Sequence, residues 1–296
     1  MEKAATKQQV DGTQAARTVK AMVARVQAMA ATARTARRER VTRHYLDRLL
    51  ASPRGRAFVL AQAAEAEATD EGHFFDLILA HVADPALAKL VRRHRADELG
   101  HAEAFRACLA RTGADPGPVP AELRLLERLE RALGGTLGHE VRTPREVMEA
   151  YLLLQVIEER AVTQFALFEQ AFRQHDAETA DTFRAIAKDE ERHLRYCHAI
   201  ARRYAPDELT RATTLRRFRE IEAKVFAENA RANMRHALDE GLVELDPLGR
   251  LLWRALGAFA ALVGATAPTR FLGDDEERPD QPDHPGTSPA AAPAAA

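Results

Sequence analysis

Apolar and polar residues follow a helical period along most of this chain. The pattern is strongest over four long stretches, Arg54–Val82, Pro85–Thr112, Pro144–Gln174 and Ala177–Tyr204. In the third stretch, Glu158 is the one carboxylate within an apolar stripe, which is formed by Leu154, Ala161 and Phe165. Because residues three, four and seven positions apart share a helix face, the pattern predicts four long amphipathic helices.

The joints between these helices are marked as well. Asp84-Pro85 pairs an N-cap residue with a proline at the first helical position, and Thr143-Pro144-Arg145-Glu146 adds a capping box. Helices 1 and 2 are joined by a short turn, as are helices 3 and 4. The longer link between helices 2 and 3 contains a short amphipathic stretch, Leu123–Leu133, and closes at Gly134-Gly135. Two helical hairpins joined by a long crossover predict a four-helix bundle.

The bundle is expected to occupy the middle of the chain. The predicted divisions are a helical or partly ordered arm (1–50), the bundle (51–205), a helical extension (206–272) and a disordered tail rich in Pro, Ala and acids (273–296). Within the extension we expect a fifth helix over Thr210–Leu238. A sixth is expected to start at Asp246-Pro247 and to end near Ala265.

Composition agrees with an all-α fold, because Ala, Leu, Arg and Glu dominate and aromatic residues are only 6%. Lys and Arg (43) nearly cancel Asp and Glu (44), which argues against a nucleic-acid partner. Cys108 and Cys197 lack the spacing of a zinc site or a disulfide framework, so we expect small core residues and a cytoplasmic location. The late apolar stretch Leu251–Ala267 contains Arg254 and is short for a membrane span. We expect it to pack on the bundle or in a homodimer contact.

The two predicted hairpins are related by an internal repeat. At an offset of 93 residues, Glu65 lies over Glu158. With one residue dropped in the loop, Asp97-Glu98-x-x-His101 lies over Asp189-Glu190-x-x-His193. The chain is therefore interpreted as a duplicated helical hairpin.

Helix 1 offers three acidic residues for one inward position: Glu65, Glu67 and Glu71. The repeat favours Glu65, but its neighbours on the helix face are small rather than apolar, so the other two remain alternatives. Gln62 and Gln155 repeat one turn earlier and could hydrogen-bond the ligands or fill the helix surface.

A Glu and a His at i and i+3 lie on one helix face, where both can bind one metal ion. Two such helices, each preceded by a helix with one inward Glu, supply the ligands of a carboxylate-bridged di-metal centre. Two divalent cations would cancel four buried negative charges, and oxygen ligands with one imidazole per metal favour iron or manganese. The six candidate ligands are Glu65, Glu98, His101, Glu158, Glu190 and His193. His94, at i−4 from Glu98, is interpreted as a partly exposed residue of an Arg-rich turn rather than as a further ligand.

These residues resemble the ligand set of the ferritin-like superfamily of di-iron carboxylate proteins over Arg54–Tyr204, and their spacings are similar to those of rubrerythrins and bacterioferritins. The resemblance implies that Glu65, Glu98 and His101 bind one metal, that Glu158, Glu190 and His193 bind the other, and that Glu98 and Glu190 bridge.

The segment 189–193 is similar to the Asp-Glu-x-Arg-His motif of bacterial multicomponent monooxygenases and acyl desaturases. That resemblance implies that Asp97, Asp189 and Arg192 orient the histidine ligands. The chain departs from the pattern at Gly100, which takes the Arg position of the first repeat.

A second departure lies seven residues after the helix 1 ligand. Ferritins and rubrerythrins often have Tyr there, whereas this chain has Gly72 in the first half and Phe165 in the second. Two helical glycines predict either close helix packing or a hollow first half, in which Gly72, Gly100 and Phe165 border a substrate cavity.

The resemblance implies a non-haem oxidoreductase with two Fe ions, or with an Fe/Mn or Mn/Mn pair. Dioxygen or peroxide would be activated with electrons from an external donor, and an unknown small-molecule substrate would be oxygenated or desaturated. Two alternatives remain. One is a ferroxidase or iron-storage protein, and the other is a non-catalytic helical bundle with a vestigial site.

Overall fold

The protein is described by a computed structural model that covers residues 43–68, 71–82, 84–135, 141–251 and 253–255, with the backbone alone at 71–74. Every regular element in these ranges is helical, which confirms the all-α expectation for them. The helices are α1 (43–50), α2 (Pro53–Ala68), α3 (Glu71–Leu79), α4 (Pro85–Arg111), α5 (Leu125–Leu133), α6 (Pro144–Phe172), α7 (Ala177–Tyr204), α8 (Glu208–Asp239) and α9 (247–251 and 253–255). A single 3-10 turn, Ala121–Leu123, precedes α5.

Most predicted boundaries agree with these helices to within two residues. The stretch predicted as one helix, Arg54–Val82, is described as α2 and α3, and residues 69 and 70 between them lie outside the described residues. The predicted end of the sixth helix at Ala265 lies outside the described residues. So do most of the predicted arm and the whole predicted tail.

Side-chain caps fix where the long helices start. Asp84 accepts from the Ala86 amide at 2.8 Å, and Asp176 accepts from the Thr179 amide at 3.1 Å. The capping box of α6 is present, since the Glu146 amide donates to Thr143 Oγ1 at 3.2 Å and the Thr143 amide donates to Glu146 Oε2 at 2.8 Å. These contacts satisfy amides that have no partner within the helix and set the register of the residues that follow.

Two apolar cores form along the long helices, with a polar layer between them. One core is built around Phe105, Phe165 and Phe183, whose ring centroids lie 4.9–5.7 Å apart. The other contains Val91 from α4 and Tyr196 from α7. Both cysteines are buried in these cores, as expected. Each of α4, α6 and α7 therefore crosses from one core to the other through the polar layer.

The helices pack in pairs, α2 on α4 and α6 on α7, and α4 also contacts α7. The predicted extension is part of the fold, because α8 packs on α5 and α6. Trp253 of α9 is buried and lies 5.5 Å from the Tyr45 ring of α1. No helix in the described part of the chain is long and apolar enough to cross a lipid bilayer.

Candidate metal centre

The polar layer is a buried cluster of carboxylates and imidazoles from α2, α4, α6 and α7. Seven residues make up this cluster: Glu67, His94, Glu98, His101, Glu158, Glu190 and His193. They form two groups, in each of which one ligand atom per residue lies within 4.8 Å of the others. Five of the six predicted ligands are in the cluster, and Glu65 is not.

The first group, which we call site A, consists of His94, Glu98, Glu158 and His193. His94 Nε2 lies 2.8 Å from Glu98 Oε1 and 3.0 Å from Glu158 Oε1. His193 Nδ1 lies 3.1 Å from the same Glu98 oxygen. Site A thus presents two imidazoles and two carboxylates to one point.

The second group, site B, consists of Glu67, Glu98, His101 and Glu190. His101 Nδ1 lies 3.5 Å from Glu67 Oε2, 3.7 Å from Glu98 Oε2 and 3.2 Å from Glu190 Oε1. Site B therefore presents one imidazole and three carboxylates.

Glu98 and Glu190 connect the two sites. The two oxygens of Glu98 face different histidines, since Oε1 lies near His193 and Oε2 near His101. Glu190 does the same, with Oε1 3.2 Å from His101 and Oε2 2.8 Å from His193. A carboxylate placed in this way can bind one metal ion through each oxygen.

The assignment of the helix 1 ligand to Glu65 needs correction. The Glu65 carboxylate lies 2.6 Å from Arg124 Nε in the crossover, and its side chain is 30% exposed. Glu67 is buried and is the α2 residue that reaches site B. The helical periodicity of α2 could have identified Glu67 as the inward carboxylate, because Leu60, Ala63 and Glu67 form one buried stripe.

The interpretation of His94 as a partly exposed residue is also wrong. Its side chain is fully buried at site A, and its ring lies 3.9 Å from the His193 ring. The arginines on either side of His94 led to the prediction of an exposed position. The spacing of Val91, His94 and Glu98, however, places all three on one buried face of α4. The second repeat has Ile186 at the equivalent position, so the cluster is less symmetric than the sequence repeat.

An outer layer of charged side chains holds two of the histidines from behind. Asp97 Oδ2 of α4 lies 3.2 Å from His193 Nε2 of α7, and Asp189 Oδ2 of α7 lies 3.4 Å from His101 Nε2 of α4. Arg192 donates to Asp97 at 2.6 Å and also to Asp189. The sequence-predicted trio is thus brought together, and one arginine serves both halves of the repeat.

Burial and mutual contacts shift the cluster pKa values in opposite directions. Burial and neighbouring carboxylates raise the pKa of Glu67 and of Glu158 well above the usual range. For Glu98 and Glu190 burial acts in the same sense, but contacts with His101 and His193 outweigh it and lower the pKa.

The histidines also differ from one another. Burial alone would lower the pKa of His193, but contacts with Glu190 and Glu98 raise it to about 9. Contacts with Glu190, Glu67 and Glu98 likewise outweigh burial and raise the pKa of His101. Burial lowers the pKa of His94. The raised pKa values of Glu67, Glu158, His101 and His193 oppose the loss of protons that metal ligation requires.

The donor atoms fit a metal site better than a hydrogen-bonded network. Among the described residues, several buried cluster atoms have no partner in hydrogen-bonding geometry, namely His94 Nδ1 and Nε2, Glu98 Oε1, His101 Nδ1 and Glu190 Oε1. His94 Nε2 and Glu98 Oε1 lie only 2.8 Å apart, yet neither atom has a hydrogen-bond partner. Buried polar atoms are rarely left unpaired, and all of these except His94 Nδ1 face other cluster atoms in sites A and B, so they suit a shared cation. Three imidazoles and four carboxylates, without a thiolate, match the ligand preferences of iron and manganese.

A cavity of about 300 Å³ borders the carboxylate side of the cluster, and Phe165 is in its wall. The prediction that Gly100 borders a cavity is wrong, because this residue is exposed and an added Cβ would meet nothing within 4 Å. Gly72 lies in α3 but is described by its backbone alone. Gln155 donates to Glu159 at 3.1 Å rather than to a cluster carboxylate, whereas Gln62 lies in the cavity wall.

The chain matches no protein-family model, no curated protein and no solved structure. The chemistry of the cluster is therefore inferred from its own geometry.

Proposed function

We propose that the protein is a di-metal carboxylate oxidoreductase of the ferritin-like type, in which α2, α4, α6 and α7 form the four-helix bundle. One observation carries the proposal: sites A and B share Glu98 in a buried layer between two apolar cores. Three imidazoles and four carboxylates support iron at both sites, or an iron/manganese or manganese pair.

Each set of side chains has a distinct part in this account. Glu98 and Glu190 would bridge the two metals, Glu67 and Glu158 would complete one site each, and the histidines would supply the nitrogen ligands. Asp97, Asp189 and Arg192 would hold His101 and His193 in the orientation that binding needs, as outer carboxylates do for metal-bound histidines. When bound, the metal pair would supply binding positions for dioxygen or peroxide and would pass on electrons from an external donor.

The cavity favours an organic substrate over iron as the substrate. Its wall is mostly apolar and reaches the four cluster carboxylates. A ferroxidase needs a polar route for iron ions, whereas an apolar pocket with few polar groups is typical of a small-molecule site. Oxygenation or desaturation of an organic molecule is therefore proposed ahead of iron storage.

The reaction with oxygen tests the proposal. Metal-free protein is loaded with two equivalents of Fe(II) per chain without oxygen and then mixed with aerated buffer in a stopped-flow spectrometer. We expect a rapid absorbance change that is absent from Glu98→Gln protein and present in the control Glu103→Gln, which changes an exposed carboxylate of α4. Repeated turnover of excess Fe(II) would instead favour a ferroxidase, and no reaction would contradict the oxidoreductase proposal.

A further inference from the structure

The cavity beside the cluster has a wall supplied by a helix outside the proposed four-helix bundle. Residues of α8 in this wall include Glu222, Val225, Phe226, Asn229, Ala230 and Met234. Across the cavity lie α2 and α6, which both contribute to the cluster but are not closely packed on each other. The cavity is thus lined by α2, α6 and α8, and α1 and α5 contribute further parts of its wall.

The position of the cavity relative to the cluster is one-sided. Glu67, Glu98, Glu158 and Glu190 border it, whereas none of the three cluster histidines is among the described residues of its wall. A molecule in the cavity would therefore approach the cluster from the carboxylate side, opposite the Asp97–Arg192 layer that backs the histidines.

Outside the four cluster carboxylates, the charged side chains of the described wall take part in ion pairs. Arg160 donates to both oxygens of Glu222, at 2.7 and 2.8 Å, and this buried pair is neutral as a whole. The partly exposed pair of Glu65 and Arg124 also belongs to the wall, so the solvent side of the cavity lies near α5. The rest of the wall is largely aliphatic and aromatic, which favours a neutral ligand.

Outside the cluster, one buried polar group of the described wall has no hydrogen-bond partner. Asn229 is 6% exposed, and its side-chain oxygen Oδ1 is buried without a hydrogen bond. By contrast, the other asparagine in the wall, Asn233, donates from Nδ2 to the Asn229 main-chain oxygen at 3.0 Å. Because a buried amide without a partner costs stability, a bound molecule that pairs with Asn229 would remove that cost.

We propose that this cavity binds a neutral, largely apolar organic molecule whose one hydroxyl or amine pairs with the side-chain amide of Asn229. On the proposed function, on which this inference rests, that molecule is the substrate of the oxidation. A volume of about 300 Å³ lies at the small end of the range for small-molecule sites. The C-terminal extension is thereby assigned a role in selecting the substrate.

Two fluorescent probes of matched shape test this assignment. N-phenyl-1-naphthylamine carries one N–H donor, and 1-benzylnaphthalene replaces that group with a methylene. Both are titrated into the full chain, metal-free and loaded with Mn(II), with emission as the readout. We expect saturable binding of one probe per chain, with the amine the tighter of the two.

Three variants locate the bound probe. Asn229→Leu is expected to weaken binding of the amine probe by about fivefold, because one hydrogen bond is lost. Binding of the hydrocarbon probe should stay almost unchanged. Ala230→Phe fills the cavity and is expected to weaken both probes by more than about tenfold. Lys224→Phe adds the same ring at an exposed position of α8 and should change neither.

The outcomes separate this inference from the proposed function. Any of three results would overturn the cavity assignment, even in protein that binds two metals. These are no saturable probe binding to the wild type, an equal loss of affinity for both probes in Asn229→Leu, and undiminished probe binding to Ala230→Phe. Specific probe binding to a chain that takes up no metal would overturn the role of the cavity as the site of an oxidation.

Discussion

His94 Nε2 lies 3.0 Å from Glu158 Oε1, although the two residues belong to different helical hairpins. This contact gives site A a second imidazole, while site B has only His101. The asymmetry arises from one position of the repeat, because α7 has the apolar Ile186 where α4 has His94. The two metals would therefore meet different ligand fields in a cluster that the sequence repeat suggests to be symmetric.

Replacement of His94 is expected to weaken one metal site more than the other. In His94→Leu, site A keeps one imidazole and two carboxylates, whereas site B is unchanged. We expect one metal to bind with near wild-type affinity and the second to bind at least about tenfold more weakly. Calorimetric titration with Mn(II) measures both steps. His81→Leu, at an exposed position after α3, is the control, and two unchanged binding steps in His94→Leu would contradict the assignment.

The two neighbouring carboxylates of α2 provide a matched pair. Glu67→Gln should lower the affinity of site B, because Glu67 is one of its three carboxylates. Glu65→Gln should leave metal binding intact, since Glu65 faces Arg124. Metal content after dialysis against a weak chelator distinguishes the two variants. If Glu65→Gln instead lost metal and Glu67→Gln retained it, Glu65 would be the α2 ligand, as the sequence repeat favours.

Arg192 is expected to act on the metals through the two aspartates. In Arg192→Met, Asp97 and Asp189 lose the guanidinium that joins them, so both would hold the histidines less firmly. Outer partners of this kind typically change metal affinity by about 10- to 100-fold. A competitive chelator titration measures the change, with the exposed Arg195→Met as control. Equal affinities in the two variants would show that the layer is dispensable.

Metal uptake should release protons, and the amount should depend on pH. Raised pKa values favour the protonated forms of Glu67, Glu158, His101 and His193, and metal ligation requires those protons to leave. Metal affinity should therefore fall as the pH falls. The contribution of His193 to that affinity should grow as the pH rises towards its pKa of about 9. Titrations in two buffers of different ionisation enthalpy give the number of protons released, at most one per group. An affinity that does not change between pH 6 and 8 would disprove this proton inventory.

The fold and most of the cluster could be predicted from the sequence because their signals are local. Caps such as Asp84 and Thr143 set helix starts, and the two Glu-x-x-His motifs place Glu98, His101, Glu190 and His193 on single helix faces. Glu67 remains only an alternative at the sequence level, because the repeat at an offset of 93 residues favours Glu65 over it.

The remaining differences arise from long-range packing. The α8 wall of the cavity and the burial of His94 depend on which helices pack together, and no pattern within one helix specifies that.

Metal stoichiometry tests the central claim most directly. The full chain is expressed with iron and manganese supplied, and its metal content is measured by elemental analysis beside two double variants. Glu98→Gln/Glu190→Gln removes the two connecting carboxylates, and Glu103→Gln/Glu191→Gln changes exposed neighbours on the same helices. We predict two Fe or Mn ions per chain in the wild type and in the exposed control, and a loss of both in the first variant with its helical circular dichroism retained. A wild-type chain without stoichiometric metal would contradict the di-metal centre and the oxidoreductase function built on it.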